Sequence, residues 1–207
     1  MRNRDYKQWA EGEYYHVYNR GNAKQNIFLD NQDYNFFLFR LKQNLFPKDE
    51  YKFRTPPLPE NSFSLISYCL MPNHFHFLIK QNKTIPVTKL ITRICTSYSM
   101  YFNKKYEKVG HVFQDRFKQV PIEDNKQLLW LTSYIHHNPA VAGLVKHPSS
   151  YQWSSYGEFI NSTNGGICEK NVILEQFKNK NEFQIFTEES LQTIKTKKDL
   201  GHLLLDT

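Results

Sequence analysis

Leu70-Met71-Pro72-Asn73-His74-Phe75-His76-Phe77-Leu78-Ile79 is the stretch that decides the fold. Two histidines flank one bulky apolar residue, directly after a Pro-Asn turn and at the head of an apolar run. Side chains alternate between the two faces of a strand. His74 and His76 therefore share one face, and Phe75, Phe77 and Ile79 share the other. One face can hold a metal or substrate while the other packs a core.

The preceding run, Phe63 to Leu70, is also β-prone, and Met71-Pro72-Asn73 is short enough to join the two runs as a hairpin. Further upstream, Glu13 to Asn22 reads as a strand running into a turn at Gly21. Asp30 is the expected N-cap of a helix carrying Tyr34, Phe37, Leu38, Leu41 and Leu45 on one stripe and stopping near Pro47. Residues 47–61, with Pro47, Pro56, Pro57 and Pro59, read as a loop rather than a domain boundary.

Downstream, Pro86 suits the first turn of a helix with Val87, Leu90, Ile91, Ile94, Tyr98 and Phe102 on its apolar face, closed by Gly110. His111 to Ile122 reads as a fourth strand. Asp124, with Gln127 at the capping-box position, opens a further helix expected to run to about Asn138 and stop at Pro139. The fold class is therefore α+β: a ferredoxin-like β-α-β-β-α-β antiparallel sheet with an additional helix and a C-terminal extension. Residues 1–158 form one domain. Residues 159–207 are expected to be peripheral, with helices near Asn171 to Lys180 and Glu188 to Leu205.

The 207 residues suffice for one well-buried domain, and an aromatic content of 15%, with 16 Phe and 13 Tyr, excludes disorder as the general state. The net charge of +7 favours a polyanionic partner, nucleic acid first. Met1 to Lys7 has no apolar h-region, and no apolar run has the length of a membrane span. Cys69, Cys95 and Cys168 are far apart, which points away from a disulfide framework or a thiolate zinc site. The expected setting is the cytoplasm, on the nucleoid when bound to DNA.

On spacing alone, two hydrogen-bonded strand histidines are the commoner explanation of His-x-His. The alternative is a divalent ion held by two imidazoles, with a third ligand from elsewhere and open positions for substrate. The closing helix offers candidates. Tyr134 and Asn138 lie four apart, on one face, and His137 is a competing ligand. Tyr134 taken alone reads as a core residue beside the Leu128, Leu131 and Ile135 stripe, and His136 reads as a solvated or capping residue at the helix end. Lys104, Lys105, Lys108, Arg116 and Lys118, interleaved with Tyr101, Phe102, Tyr106 and Phe113, could neutralise phosphates and stack on unpaired bases. Lys195, Lys197 and Lys198 read as an ordinary exposed face.

Four blocks now matter together: Tyr15 to Asn22, Tyr68 to His76, Gly110 to Lys118, and Tyr134 to Val145. In this order they resemble the REP-associated tyrosine transposases of the HUH single-tyrosine superfamily, over roughly residues 12 to 158. The resemblance implies that His74 and His76 bind Mg²⁺ or Mn²⁺, that Tyr134 is the catalytic tyrosine, and that Asn138 stands at the third-ligand position. Insertion-sequence members have Gln there, and here Pro139 follows directly. Arg20 and His111, from two of the blocks, join the basic residues as DNA-contacting candidates.

The implied reaction is cleavage and rejoining of single-stranded DNA through a 5′-phosphotyrosine, at ends that carry hairpins. The implied partner is single-stranded or hairpin DNA, with a homodimer as an open assembly. Two other classes stand beside it. One is a domesticated DNA-binding protein with little cleavage; the other is an RNA-binding ferredoxin-like module, which would display aromatic stacking residues on an open sheet.

Overall fold

Phe75, Phe77 and Ile79 are fully buried on one face of a strand, and His74, His76 and Leu78 are buried on the other. The chain, seen in a computed structural model, is described over residues 10–48, 50–51, 55–161 and 166–196, with side chains described as far as Ser190. Its sheet contains β1 (Tyr14–Arg20), β2 (Phe63–Met71), β3 (His74–Gln81) and β4 (Lys118–Pro121), in the spatial order β2-β3-β1-β4. Every neighbouring pair is antiparallel. Helices α1 (Asn31–Leu45) and α2 (Val87–Lys105) complete the ferredoxin-like order, and α3 (Asn125–Val141) follows β4.

The two sheet faces carry two cores. Tyr15, Val17, Phe75, Phe77 and Ile79 pack against Phe37 and Leu41 of α1 and Leu90, Ile94 and Tyr98 of α2. Each such side chain contributes roughly 1.5–3 kcal/mol by leaving water. On the opposite face, Cys69, Met71 and Leu78 pack against Leu128, Leu131, Tyr134 and Ile135 of α3. The chain beyond residue 158 adds side chains to this second core. Helix α4 (Tyr156–Ile160), which straddles that boundary, supplies Tyr156 and Phe159, and α5 (Asn171–Leu174) and α6 (Lys180–Thr196) supply Ile173 and Phe183. Residues 197–205 of the expected last helix lie outside the described residues, as do Met1 to Lys7.

The outer edge of β2 is closed by the loop around Trp153. Leu70 donates its N–H to Trp153 O, Ser155 donates to Tyr68 O, Ser155 Oγ accepts from Tyr68 N, and Glu169 donates to Leu65 O. Trp153 itself stacks on Tyr34 at 4.4 Å, so the aromatic loop docks on the domain.

Two boundaries differ from the sequence reading. The fourth strand begins at Lys118 rather than His111. Val112 and Phe113 are both buried, which strict alternation forbids, and the segment meets the end of β1 through isolated contacts rather than a ladder: a Gly21–Phe113 bridge and bonds from Gln114 N to Arg20 O, Asn22 N to Val112 O and Asn19 Nδ2 to Asp115 O. Gly21 is required at that crossing, because a Cβ there would lie 2.1 Å from Gln25 O. The second difference is Pro139, which sits inside α3 rather than ending it. It lies in the last turn, where a missing N–H costs one bond and the helix closes within three residues. The chain then turns with Leu144 N bonded to Pro139 O.

The α1 cap is more than a local signal. Asp30 accepts from Gln32 N and Asp33 N, and Asp33 accepts in return from Asp30 N. Asp33 is fully buried and also accepts from Leu29 N, Tyr101 Oη, Tyr106 Oη and Lys105 Nζ. Asp33→Ala leaves backbone donors and the α2 end without their acceptor. We expect a loss of about 3 kcal/mol in urea unfolding, from the charged hydrogen bonds and the cap together.

Candidate active site

The β-face opposite the aromatic core gathers the polar residues. On β1, Tyr15 and Val17 turn to the first core, so His16 and Tyr18 turn to the other side. The register pairs Tyr18 with His76, Arg20 with His74 and His16 with Leu78. His16, His74 and His76 are all buried on this face. Helix α3 lies over it, and Tyr134 meets the histidines edge-on, with ring centroids 5.6 Å from His76 and 6.5 Å from His16. Trp130, one turn earlier, stacks on Tyr134 at 5.6 Å and an interplanar angle of 7°. Tyr18 lies 5.9 Å from His76.

Hydrogen bonds orient the strand imidazoles. His74 Nδ1 is 2.6 Å from Asn73 Oδ1, and Asn73 Nδ2 donates to Lys24 O. The amide oxygen therefore faces His74, whose Nδ1–H donates to it, and in the neutral ring Nε2 then carries the lone pair. His76 Nδ1 lies 2.9 Å from His16 Nε2. Burial pushes His16 down to about 3; burial, then the neighbouring His74 and His16, holds His76 well below the usual histidine range. Both are thus neutral, the form in which imidazole binds a cation. His76 Nε2, His16 Nδ1 and both amide atoms of Asn138 are buried without a hydrogen-bond partner among the described residues.

Asn138 lies one turn beyond Tyr134 and is 1% exposed. No cluster of three His, Cys, Asp or Glu that could hold a metal occurs among the described residues. The imidazoles of His74 and His76 and the amide oxygen of Asn138 are donor types that suit a divalent ion. Two of these bring orphaned buried atoms.

Helix neighbours are sorted differently from the sequence expectation. His137 donates Nδ1–H to Ser133 O, and Ser133 Oγ in turn donates to Thr187 O of α6. The competing ligand is thereby held on the helix side that meets α6. His136 is not solvated: it is fully buried, bonded to Ser155 Oγ at 2.9 Å and packed against Phe159 at 4.7 Å.

Of the basic candidates, Lys104, Lys108, His111, Arg116 and Lys118 are exposed and Arg20 is half-buried. Lys105 is half-buried, and its ammonium pairs with Asp30 at 2.7 Å and with Asp33 at 2.9 Å. His111 and Arg116 line an open cavity of about 560 Å³ with Met100, Asn103 and Phe113.

His16, Asn73 and Trp130 escaped the sequence reading as site residues. The period-two pattern of β1 was a sufficient signal for His16, since it places the ring opposite Tyr15 and Val17.

With this geometry in view, residues 52–138 match the family of IS200-like transposases, a span that includes His74, His76, Tyr134 and Asn138. A Haemophilus influenzae protein described as a REP-associated tyrosine transposase is 30% identical over 105 residues. Over these spans the chain is similar to the REP-associated tyrosine transposases. The aligned part is 45% of this chain and 59% of the H. influenzae transposase, so somewhat over half of that relative is matched. The solved structure of a REP-associated tyrosine transposase bound to a REP hairpin superposes with a TM-score of 0.57 at 15% identity, covering 82% of this chain and 97% of that one. At that identity the likeness carries the fold.

Proposed function

We propose that this chain is a metal-dependent transposase that cuts and rejoins single-stranded DNA at hairpin-bearing ends, with Tyr134 as nucleophile. The observation that carries this reading is the placement of Tyr134 against His76 on the strand face that also bears His74. The hairpin is inferred from the solved relative, which binds one.

The reaction is an exchange of esters. The Tyr134 oxygen bonds to the scissile phosphorus, the bond from phosphorus to the 3′-oxygen breaks, and that oxygen leaves as a 3′-OH after taking a proton. The product is a 5′-phosphotyrosine, and rejoining reverses the step with a new 3′-OH, so no ATP is consumed. A phenol has a pKa near ~10 in water, so attack requires an acceptor for its proton. His74, His76 and Asn138 would hold Mg²⁺ or Mn²⁺, which supplies polarisation of a non-bridging phosphate oxygen. Imidazole suits Mn²⁺ better than Mg²⁺. Lys104, Lys108, His111, Arg116, Lys118 and Arg20 would neutralise the strand's phosphates. The two histidines, Tyr134 and Asn138 all come from one chain, so this chemistry needs no second copy.

The RNA-binding alternative is weakened because helices cover both sheet faces, leaving no open aromatic platform among the described residues. The test is incubation with single-stranded hairpin oligonucleotides, with and without Mn²⁺, read on a denaturing gel. A Mn²⁺-dependent covalent protein–DNA adduct supports the proposal. Tight hairpin binding with no adduct supports the domesticated DNA-binding reading instead.

A further inference from the structure

We infer that His16 is a positioning residue for the metal site: by accepting a proton-bearing bond from His76 Nδ1, it fixes the tautomer that turns the His76 Nε2 lone pair toward the cation. This rests on the metal-dependent reading above and extends it to a residue in a different strand.

His16 Nε2 and His76 Nδ1 are 2.9 Å apart, and the two rings are within 18° of parallel. Two neutral imidazoles share one proton in such a bond, and only two arrangements exist. If His16 donates, the proton on His76 moves to Nε2, and that nitrogen is closed to a cation. If His76 donates from Nδ1, its Nε2 is a bare lone pair. His76 Nε2 is buried and has no partner among the described residues, so nothing else there competes for it. His16 Nδ1 is likewise without a partner among them, so the hydrogen bond that His16 makes goes to His76.

The other strand histidine is held by the same device with different chemistry, since His74 Nδ1 meets the amide oxygen of Asn73. Each strand imidazole thus has its Nδ1 anchored by a neighbouring acceptor. The ring partner of a metal-binding histidine sets its orientation and basicity, and losing such a partner lowers metal affinity roughly 10–100-fold. His16 also stands 6.5 Å from the Tyr134 ring, so the same side chain forms part of the wall against which the nucleophile rests.

The experiment uses full-length Tyr134→Phe protein loaded with hairpin DNA, titrated with Mn²⁺ and followed by the electron paramagnetic resonance signal of the free ion. This reads binding without any turnover. His16→Phe is expected to weaken Mn²⁺ binding roughly 10–100-fold. His16→Gln, whose Oε1 can accept where Nε2 now accepts, is expected to stay within about threefold of the parent, less than one of those two decades. Near-ultraviolet circular dichroism checks that each variant is folded, and His16→Met takes the place of the phenylalanine if that ring is not tolerated. Parental Mn²⁺ affinity in the folded apolar variants overturns the inference, as does an equal loss in the glutamine and apolar variants. Absence of Mn²⁺ binding by the parent, with His76→Ala indistinguishable from it, overturns the metal reading itself and the role of His16 with it.

Discussion

Tyr134→Phe yields no covalent adduct with hairpin DNA on a denaturing gel, while the affinity for the same hairpin stays within about twofold, well inside one kcal/mol. The substitution deletes one oxygen and keeps the ring. That ring is 2% exposed, stacked on Trp130 and set edge-on to His76, and phenylalanine can keep all three contacts. Apolar contact around the position is retained, so α3 should keep its seat on the sheet. What is lost is the only atom able to bond to phosphorus in the proposed step, so the effect on the adduct is complete rather than partial. An adduct that survives makes Tyr134 the wrong nucleophile. Tyr18, 5.9 Å from His76, is then the phenol to replace next.

His76→Ala removes Mn²⁺-dependent cleavage. If the ion contributes several kcal/mol of charge stabilisation, the fall is roughly 10²-fold or more, read as initial cleavage rate with and without Mn²⁺. The change also takes a fully buried ring away from His16, so part of the loss would be structural unless folding is monitored. A thermal melt of the same preparation separates the two. Cleavage at the parental rate, with the parental dependence on Mn²⁺, rejects His76 as a ligand.

Much of this arrangement was legible in the residues. The alternation of His74, Phe75, His76, Phe77 and Leu78 assigns each side chain to its face, because a strand has a period of two and one face must be apolar. The Asp30 and Asp124 caps and the stripe from Val87 to Phe102 set three helices. What escaped depends on contacts distant in sequence. His16 acquires its role only when β1 pairs with β3, 60 residues away, and a lone histidine on a strand does not announce its partner. His136 lies near a helix end, where solvation is common, yet Ser155 and Phe159 of the later chain bury it. Lys105 looked like one cation in a basic run until the α1 cap folded beside it. The early start given to β4 came from alternation in a segment that only grazes the sheet.

Among the described residues, the two rims of this sheet offer little ladder to another chain. On the β2 rim, the backbone groups of Leu65, Tyr68 and Leu70 are taken by the Trp153–Ser155 loop, Glu169 and the Tyr151 hydroxyl. The β4 rim is only four residues long; it starts with exposed Lys118 and ends in Pro121, which has no N–H to give. Edge-to-edge sheet extension, the usual route by which exposed strands recruit copies of themselves, is therefore blocked on one side by occupancy and blunted on the other by brevity and charge. A polyanion arriving at this molecule meets side chains, not an open β-edge, and strand addition gives little driving force for self-association at the concentrations where oligonucleotide binding is measured.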